Sequence, residues 1–230
     1  MKKLLLLSNS TLPGQPYLGW PKPHIDQFLG EIREVLFIPF AAVSFSYDDY
    51  EAMVAKSLSE LNIKVTSIHH ASDPIEAINN AKSIFVGGGN TFHLLLQLQQ
   101  QKLVEAIVNK VNTGTPYCGW SAGANMACPT IKTTNDMPVA EPLSFNALGL
   151  IDFQINPHYT EKTIDGHGGE SRLQRLKEYV AINDIPVTCL PEGFAFKIEG
   201  EKLELIGDSE IKVIKKGGQM TTLVPGLVSI

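Results

Sequence analysis

The stretch Thr115-Pro116-Tyr117-Cys118-Gly119-Trp120-Ser121-Ala122-Gly123-Ala124-Asn125-Met126-Ala127 decides how this chain folds. A short apolar segment, Thr115–Cys118, enters Gly119-Trp120-Ser121-Ala122-Gly123 and leaves through small and apolar residues. The pattern G-x-S-x-G between a buried strand and a helix is the signature of a nucleophile elbow. Small residues flank the serine because the backbone turns too tightly there for a Cβ. The turn lifts the hydroxyl above the sheet. The following helix presents its N-terminal N–H groups and positive dipole end to developing negative charge. The Ala122 N–H is then one candidate oxyanion donor. An ordinary strand-to-helix turn that contains a serine is the plainer alternative.

Outward from the elbow, apolar runs alternate with amphipathic segments. Strands are expected at Lys3–Leu7, Val35–Pro39, Lys64–Ile68, Ser83–Val86, Thr115–Cys118 and Val187–Leu190. They are nearly continuously apolar, as strands covered on both faces are. Helices are expected at Tyr47–Leu61, Pro74–Asn80, Thr91–Val111 and Ser171–Ile182, with Asp73 capping the helix that Pro74 opens. Strands alternating with helices imply an α/β fold, with a mostly parallel sheet and helices on both faces. Phe194–Ile198, Leu203–Ile206, Ile211–Ile214 and Met220–Leu223 are short and separated by glycine-containing breaks, which suggests a small C-terminal antiparallel meander. No repeat or linker divides the chain, so residues 1–230 are read as one domain.

Composition narrows the function. The 230 residues are 43% hydrophobic and 19% charged, with a formal net charge of -5. That balance argues against nucleic acid or an anionic membrane as partner, because either needs a basic face to displace counterions. The run Leu4–Leu7 is too short for a secretory core, and no stretch approaches the roughly 18 apolar residues of a span. Three scattered cysteines (Cys118, Cys128, Cys189) make no disulfide framework, and a cytoplasmic location is expected. No H-E-x-x-H or Cys/His cluster points to a catalytic metal.

A second glycine-rich turn, Val86-Gly87-Gly88-Gly89-Asn90-Thr91, also follows a strand and opens a helix. It lacks the lysine of a phosphate loop and the G-x-G-x-x-G spacing. The remaining functional reading is the other half of an oxyanion hole, with the Gly88 or Gly89 N–H facing the serine. A serine nucleophile needs a base. His158, in Asn156-Pro157-His158-Tyr159, follows the apolar segment Leu150–Ile155 at the strand edge where α/β proteins assemble sites. His69 and His70 end a strand, His93 lies in a helix, and His24 and His167 lie in Pro- and Gly-rich loops. The base needs an orienting carboxylate. Asp136 follows the elbow helix in a loop, and Glu192 directly follows a strand. Rigidity favours Glu192, and both remain open.

The ordered set formed by Leu6-Leu7-Ser8-Asn9-Ser10-Thr11, Ile38-Pro39-Phe40-Ala41, Gly87-Gly88-Gly89-Asn90-Thr91-Phe92, Gly119–Asn125, Cys128-Pro129-Thr130-Ile131, Thr134-Asn135-Asp136-Met137-Pro138, Ile155-Asn156-Pro157-His158 and Leu190-Pro191-Glu192-Gly193 resembles the peptidase E family, the α-aspartyl dipeptidases. The resemblance implies a fold like the class I glutamine amidotransferases, with serine replacing the elbow cysteine. It implies a metal-free serine peptidase of the cytoplasm that cleaves Asp-Xaa dipeptides, with no cofactor. It places the nucleophile at Ser121, the base at His158 and the third member at Asp136 or Glu192. Arg172, in Gly169-Glu170-Ser171-Arg172, is the implied partner of the substrate's aspartyl carboxylate, with Asn90 a second binding candidate. The alternative for Arg172 is an ion pair with Glu170 or another surface acid. The expected partners are small aspartyl dipeptides, and a homodimer is compatible with these features. Two other readings share the fold: a cyanophycinase-like peptidase or esterase, and a binding domain without chemistry.

Overall fold

The computed structural model describes residues 1–162 and 168–230. In chain order its elements are β1 (Lys3–Leu7), α1 (Lys22–Leu29), β2 (Glu34–Ile38), α2 (Tyr47–Leu58), β3 (Lys64–Ser67), α3 (Pro74–Asn80), β4 (Ile84–Val86), α4 (Thr91–Gln100), α5 (Leu103–Asn112), β5 (Tyr117–Trp120), α6 (Ala122–Met126), β6 (Gln154–Asn156), α7 (Arg172–Ile182), β7 (Val187–Cys189), β8 (Ala195–Glu199), β9 (Lys202–Ile206), β10 (Ile211–Ile214), β11 (Met220–Leu223) and β12 (Gly226–Val228). The main sheet has the order β12, β9, β8, β1, β5, β4, β2, β3. Its half from β1 to β3 is parallel, and β8, β9 and β12 extend it antiparallel.

The central position of β1 follows from its sequence. Leu4 and Leu6 enter one core with Ile84, Val86 and residues of α4, α5 and α6, whereas Leu5 and Leu7 enter the other with residues of α1 and α2. All four leucines have no exposed surface. Side chains alternate across a strand, so only a continuous apolar run satisfies two buried faces.

The antiparallel tail is divided between two sheets. β8, β9 and β12 belong to the main sheet, while β10 and β11 pair beside β7 and β6 in a second, four-stranded sheet. The segment expected as one helix from Thr91 to Val111 is two helices. Lys102 breaks it in the left-handed region at φ 58°, and Leu94, Leu98, Leu103 and Ile107 still enter one core. That shared core is why the apolar spacing runs through the break. His24 lies in helix α1, not in a loop. The proline pair that suggests a loop stands at the start of that helix, where the missing N–H costs no hydrogen bond.

The C-terminal ends of β1, β4, β5 and β6 converge on one edge. Ser8, Gly87–Gly89, Ser121 and His158 lie just beyond those ends.

Candidate active site

Ser121 follows β5 with φ 53° and ψ −112°, a conformation that costs a non-glycine residue roughly 1–3 kcal/mol. Its neighbours hold it there. The Ser121 N–H donates to the Leu7 carbonyl at 3.0 Å, and Tyr117 Oη donates to the Gly123 carbonyl at 2.7 Å. A Cβ on Gly119 would stand 2.3 Å from the Gly123 carbonyl oxygen, and one on Gly123 would stand 2.1 Å from that of Val86. Both flanking glycines are therefore sterically required. Helix α6 is only five residues long, so its contribution at this edge is its unpaired first amides rather than an extended dipole.

His158 presents its ring to two partners. Nε2 lies 2.9 Å from Ser121 Oγ, and Nδ1 lies 2.8 Å from Glu192 Oε1. The carboxylate sets the tautomer: Nδ1–H donates to Glu192, leaving the Nε2 lone pair to accept the serine proton. The His158 backbone, at φ 50°, is held from both sides. Its N–H donates to Ser8 Oγ at 2.8 Å, and its carbonyl accepts from Arg172 Nη1 at 2.6 Å. Ser8 Oγ in turn donates to the Leu190 carbonyl at 2.9 Å. Asn9 Oδ1 accepts from the Gly193 N–H at 2.8 Å, which anchors the turn that carries Glu192. The His158 and Glu192 side chains are 36% and 47% exposed, so the pair is open to water until a ligand covers it.

Gly88 and Gly89 border the same pocket of about 190 Å³ as Ser121 and His158. β4 pairs directly with β5, which brings the glycine turn beside the elbow. A Cβ on Gly88 would come within 3.0 Å of the Ser121 Cβ. Among the described residues, the amides of Gly88, Gly89 and Ala122 donate to no protein acceptor. The Gly88 carbonyl is engaged, accepting from Tyr50 Oη at 2.9 Å. Tyr50 Oη also accepts from Trp120 Nε1 at 3.1 Å, joining the glycine turn to the residue before the serine. Burial pushes the Tyr50 hydroxyl up to about 12, so it stays a donor through the neutral range.

Asp136 makes no hydrogen bond to His158. Its Oδ2 accepts from the Thr91 N–H at 2.7 Å, from Thr91 Oγ1 at 2.5 Å and from Thr134 Oγ1 at 3.0 Å. It thus caps the start of α4, where a carboxylate satisfies orphan amides. Asn90 is committed likewise. Its Oδ1 accepts from the His93 N–H at 3.0 Å, and its Nδ2 donates to the Met137 carbonyl at 2.8 Å. Arg172 opens α7, and its guanidinium is tied to the carbonyl of His158 rather than to Glu170. Desolvation lowers its pKa, with Glu192 pulling the other way. His167 lies outside the described residues. Ser8, Asn9 and Tyr50 were not anticipated as contributors. Ser8 and Asn9 carry a usable signal, their place at the end of the central strand. Tyr50, from helix α2, carries none.

Peptidase family S51 matches residues 4–206. The chain is 49% identical to a peptidase E of Nostoc sp., across 97% of this chain and 93% of that one. It is 46% identical to the peptidase E of Shewanella amazonensis, across 97% and 96%. A crystal structure of a peptidase E-type protein from Listeria monocytogenes superposes with a TM-score of 0.68 at 24% identity, across 91% of this chain and all of that one. A peptidase from an acI-B1 actinobacterium superposes at 0.72 and 17%, across 100% and 97%. These two show the fold. No helix among the described residues is long and apolar enough to cross a membrane.

Proposed function

The chain belongs to peptidase family S51 and is a serine dipeptidase; from that premise we propose that it releases N-terminal aspartate from Asp-Xaa dipeptides through an acyl-enzyme, with Ser121 as nucleophile, His158 as base and Glu192 as the orienting carboxylate. The observation that carries the assignment of roles is the relay of two hydrogen bonds, 2.9 Å from Ser121 Oγ to His158 Nε2 and 2.8 Å from His158 Nδ1 to Glu192.

Ser121 Oγ attacks the peptide carbonyl carbon while His158 Nε2 takes its proton. The carbonyl oxygen becomes an oxyanion in reach of the amides of Ala122 and of Gly88 or Gly89. Each such donor contributes about 2.7–4 kcal/mol in the transition state. The imidazolium, stabilised by Glu192, protonates the leaving nitrogen as the C–N bond breaks. A water, deprotonated by His158, then hydrolyses the aspartyl ester and frees Ser121.

Arg172 supports the aspartate preference. Its Nη1 donates to the carbonyls of His158 and Pro157, and the Nη2 and Nε donors form a fork suited to a carboxylate. A site built around such a cation rejects an uncharged analogue strongly, because the guanidinium is then left without its partner. The small dipeptide is the expected partner. The test is hydrolysis of an aspartyl anilide beside its Asn, Glu and N-acetyl-Asp analogues, with Ser121→Ala and Arg172→Met as variants. Turnover of the aspartyl compound alone is expected, abolished in Ser121→Ala and reduced in Arg172→Met through KM and, because Arg172 also holds the His158 carbonyl, through kcat. Equal turnover of the Asp and Asn compounds would overturn the specificity, and activity surviving Ser121→Ala would overturn the nucleophile.

A further inference from the structure

We propose that Asp48, Glu51, His69 and His70 form a binding site for one zinc ion, clamping the first turns of α2 to the segment that follows β3. Asp48 and Glu51 stand three apart on α2 and so share a face. His69 and His70 lie in a single 3-10 turn directly after β3. The four side chains offer ligand atoms that all lie within 4.8 Å of one another.

His69 Nε2 is 2.9 Å from Asp48 Oδ1, and His70 Nε2 is 2.9 Å from Glu51 Oε2 and 3.3 Å from Asp48 Oδ1. Four ligands at zinc bond lengths of about 2.0–2.2 Å stand roughly 3.3 Å apart along the edges of a tetrahedron, so the cluster closes on an ion with small adjustment.

Supporting contacts already orient the ligands. Ser67 Oγ lies 2.6 Å from His69 Nδ1, a contact that holds the ring with Nε2 turned towards the Asp48 carboxylate. One divalent ion would be shared by the His69–Asp48 and His70–Glu51 pairs. Glu51 divides its oxygens in the same manner: Oε1 accepts from the Ser67 N–H at 2.7 Å, leaving Oε2 for the ion. Such outer contacts are what set ligand direction in metal sites. The mixed imidazole and carboxylate donor set suits zinc over calcium or magnesium, which prefer oxygen alone.

None of the four residues lines the Ser121 pocket, and the proposed chemistry does not pass through this ion. The same stretch of α2 carries Tyr50 and Met53 of that pocket, so the clamp would stiffen one of its walls.

The test is calorimetric titration of Zn²⁺ alone into the full-length, metal-stripped protein, with His158→Ala, His70→Gln and Asp48→Asn as variants. Asp48 and His70 are 75% and 53% exposed, so neither conservative change threatens folding. One equivalent is expected in the parent and in His158→Ala, with affinity at least tenfold weaker in both His70→Gln and Asp48→Asn. Zn²⁺ should raise the melting midpoint of the parent and of His158→Ala, and not that of His70→Gln. Absence of a one-equivalent isotherm, an isotherm unchanged in either cluster variant, or its loss in His158→Ala would overturn the proposal.

Discussion

Replacing Tyr50 by phenylalanine removes one oxygen and should slow catalysis without touching the proposed triad. That oxygen accepts from Trp120 Nε1 at 3.1 Å and donates to the Gly88 carbonyl at 2.9 Å. A trans peptide is planar, with its C=O and the following N–H pointing to opposite sides. Holding the Gly88 carbonyl towards Tyr50 therefore aims the Gly89 N–H the other way. The ring itself should stay in place, because it packs edge-on against Phe37 at 4.9 Å and Phe45 at 5.1 Å. Without the hydroxyl, the buried Trp120 N–H loses its acceptor and the Gly88 carbonyl its donor. Leaving a buried polar group unpaired costs about 1–3 kcal/mol, which sets the expected loss of stability. Outright removal of an oxyanion donor costs about 2.7–4 kcal/mol in the transition state. A donor that is mis-aimed rather than deleted should lose about half of that, or roughly ten- to thirtyfold in kcat, since about 1.4 kcal/mol is tenfold. The assay is kcat and KM for the aspartyl anilide, with Tyr17→Phe as control. Tyr17 Oη lies 3.4 Å from Tyr50 Oη and does not bond Gly88, so that variant should stay within about threefold of the parent, the factor that a few tenths of a kcal/mol allows. A Tyr50→Phe enzyme with the parent kcat, or with only KM raised, would refute the idea that Tyr50 positions the oxyanion amide.

The two carboxylates named from sequence should separate by substitution: Glu192→Gln is expected to lower kcat by roughly 10²–10³, less than for a fully buried triad acid because Glu192 is partly solvated. Asp136→Asn should leave kcat within a few-fold and instead cost about 0.5–2 kcal/mol in denaturant unfolding, as loss of a helix cap does. Gly123→Ala puts a Cβ 2.1 Å from the Val86 carbonyl and should lower stability by about 1–3 kcal/mol or more; a variant that melts with the parent would contradict the close approach. The buried thiols predict an alkaline limb in stability. Burial pushes Cys128 and Cys189 up to about 12 from an ordinary value of 9.0, so the unfolded chain releases these protons first. Their contribution is whole below the unfolded value and is lost as pH rises towards the folded one, at up to about 1.4 kcal/mol per pH unit for each. Cys128→Ala should flatten that limb in unfolding measured between mildly and strongly alkaline pH.

The parallel half of the fold was legible because its information is local. Lys3–Leu7 is apolar at every position but the first, and its two faces enter separate cores. Asp73 caps α3 through Oδ1, as the Asp-Pro pair suggests. The sheet membership of the tail strands was not legible. Ile211–Ile214 and Leu203–Ile206 look alike as sequences, yet β10 pairs with β7 whereas β9 pairs with β8. Partner choice there depends on where the chain has already been, which no short window contains. The break at Lys102 was hidden for a related reason: both helices bury their apolar faces in one core, so the periodicity has no gap to announce it.

The candidate site divides along the same line. Ser121 and the amides of Gly88, Gly89 and Ala122 belong to turns whose own residues demand their shape, and such turns can be read in isolation. The orienting carboxylate is a relation between segments. Asp136 and Glu192 both remain open as acids in sequence, with only rigidity favouring Glu192, and the path of the chain separates them. Residues 134–138 are drawn to the start of α4 by Thr91, whose N–H and hydroxyl both need an acceptor there. Asn90 serves the same junction, holding Met137 with one end and capping the helix with the other. Glu192 is left for His158 because Ser8 and Asn9, at the end of β1, hold both partners: Ser8 binds the His158 and Leu190 backbone, and Asn9 binds Gly193. The central strand thus does more than fill the core. Its last residues join the base from one sheet to the elbow of the other, which is why a substitution such as Ser8→Ala should disturb His158 while leaving Ser121 in its strained turn.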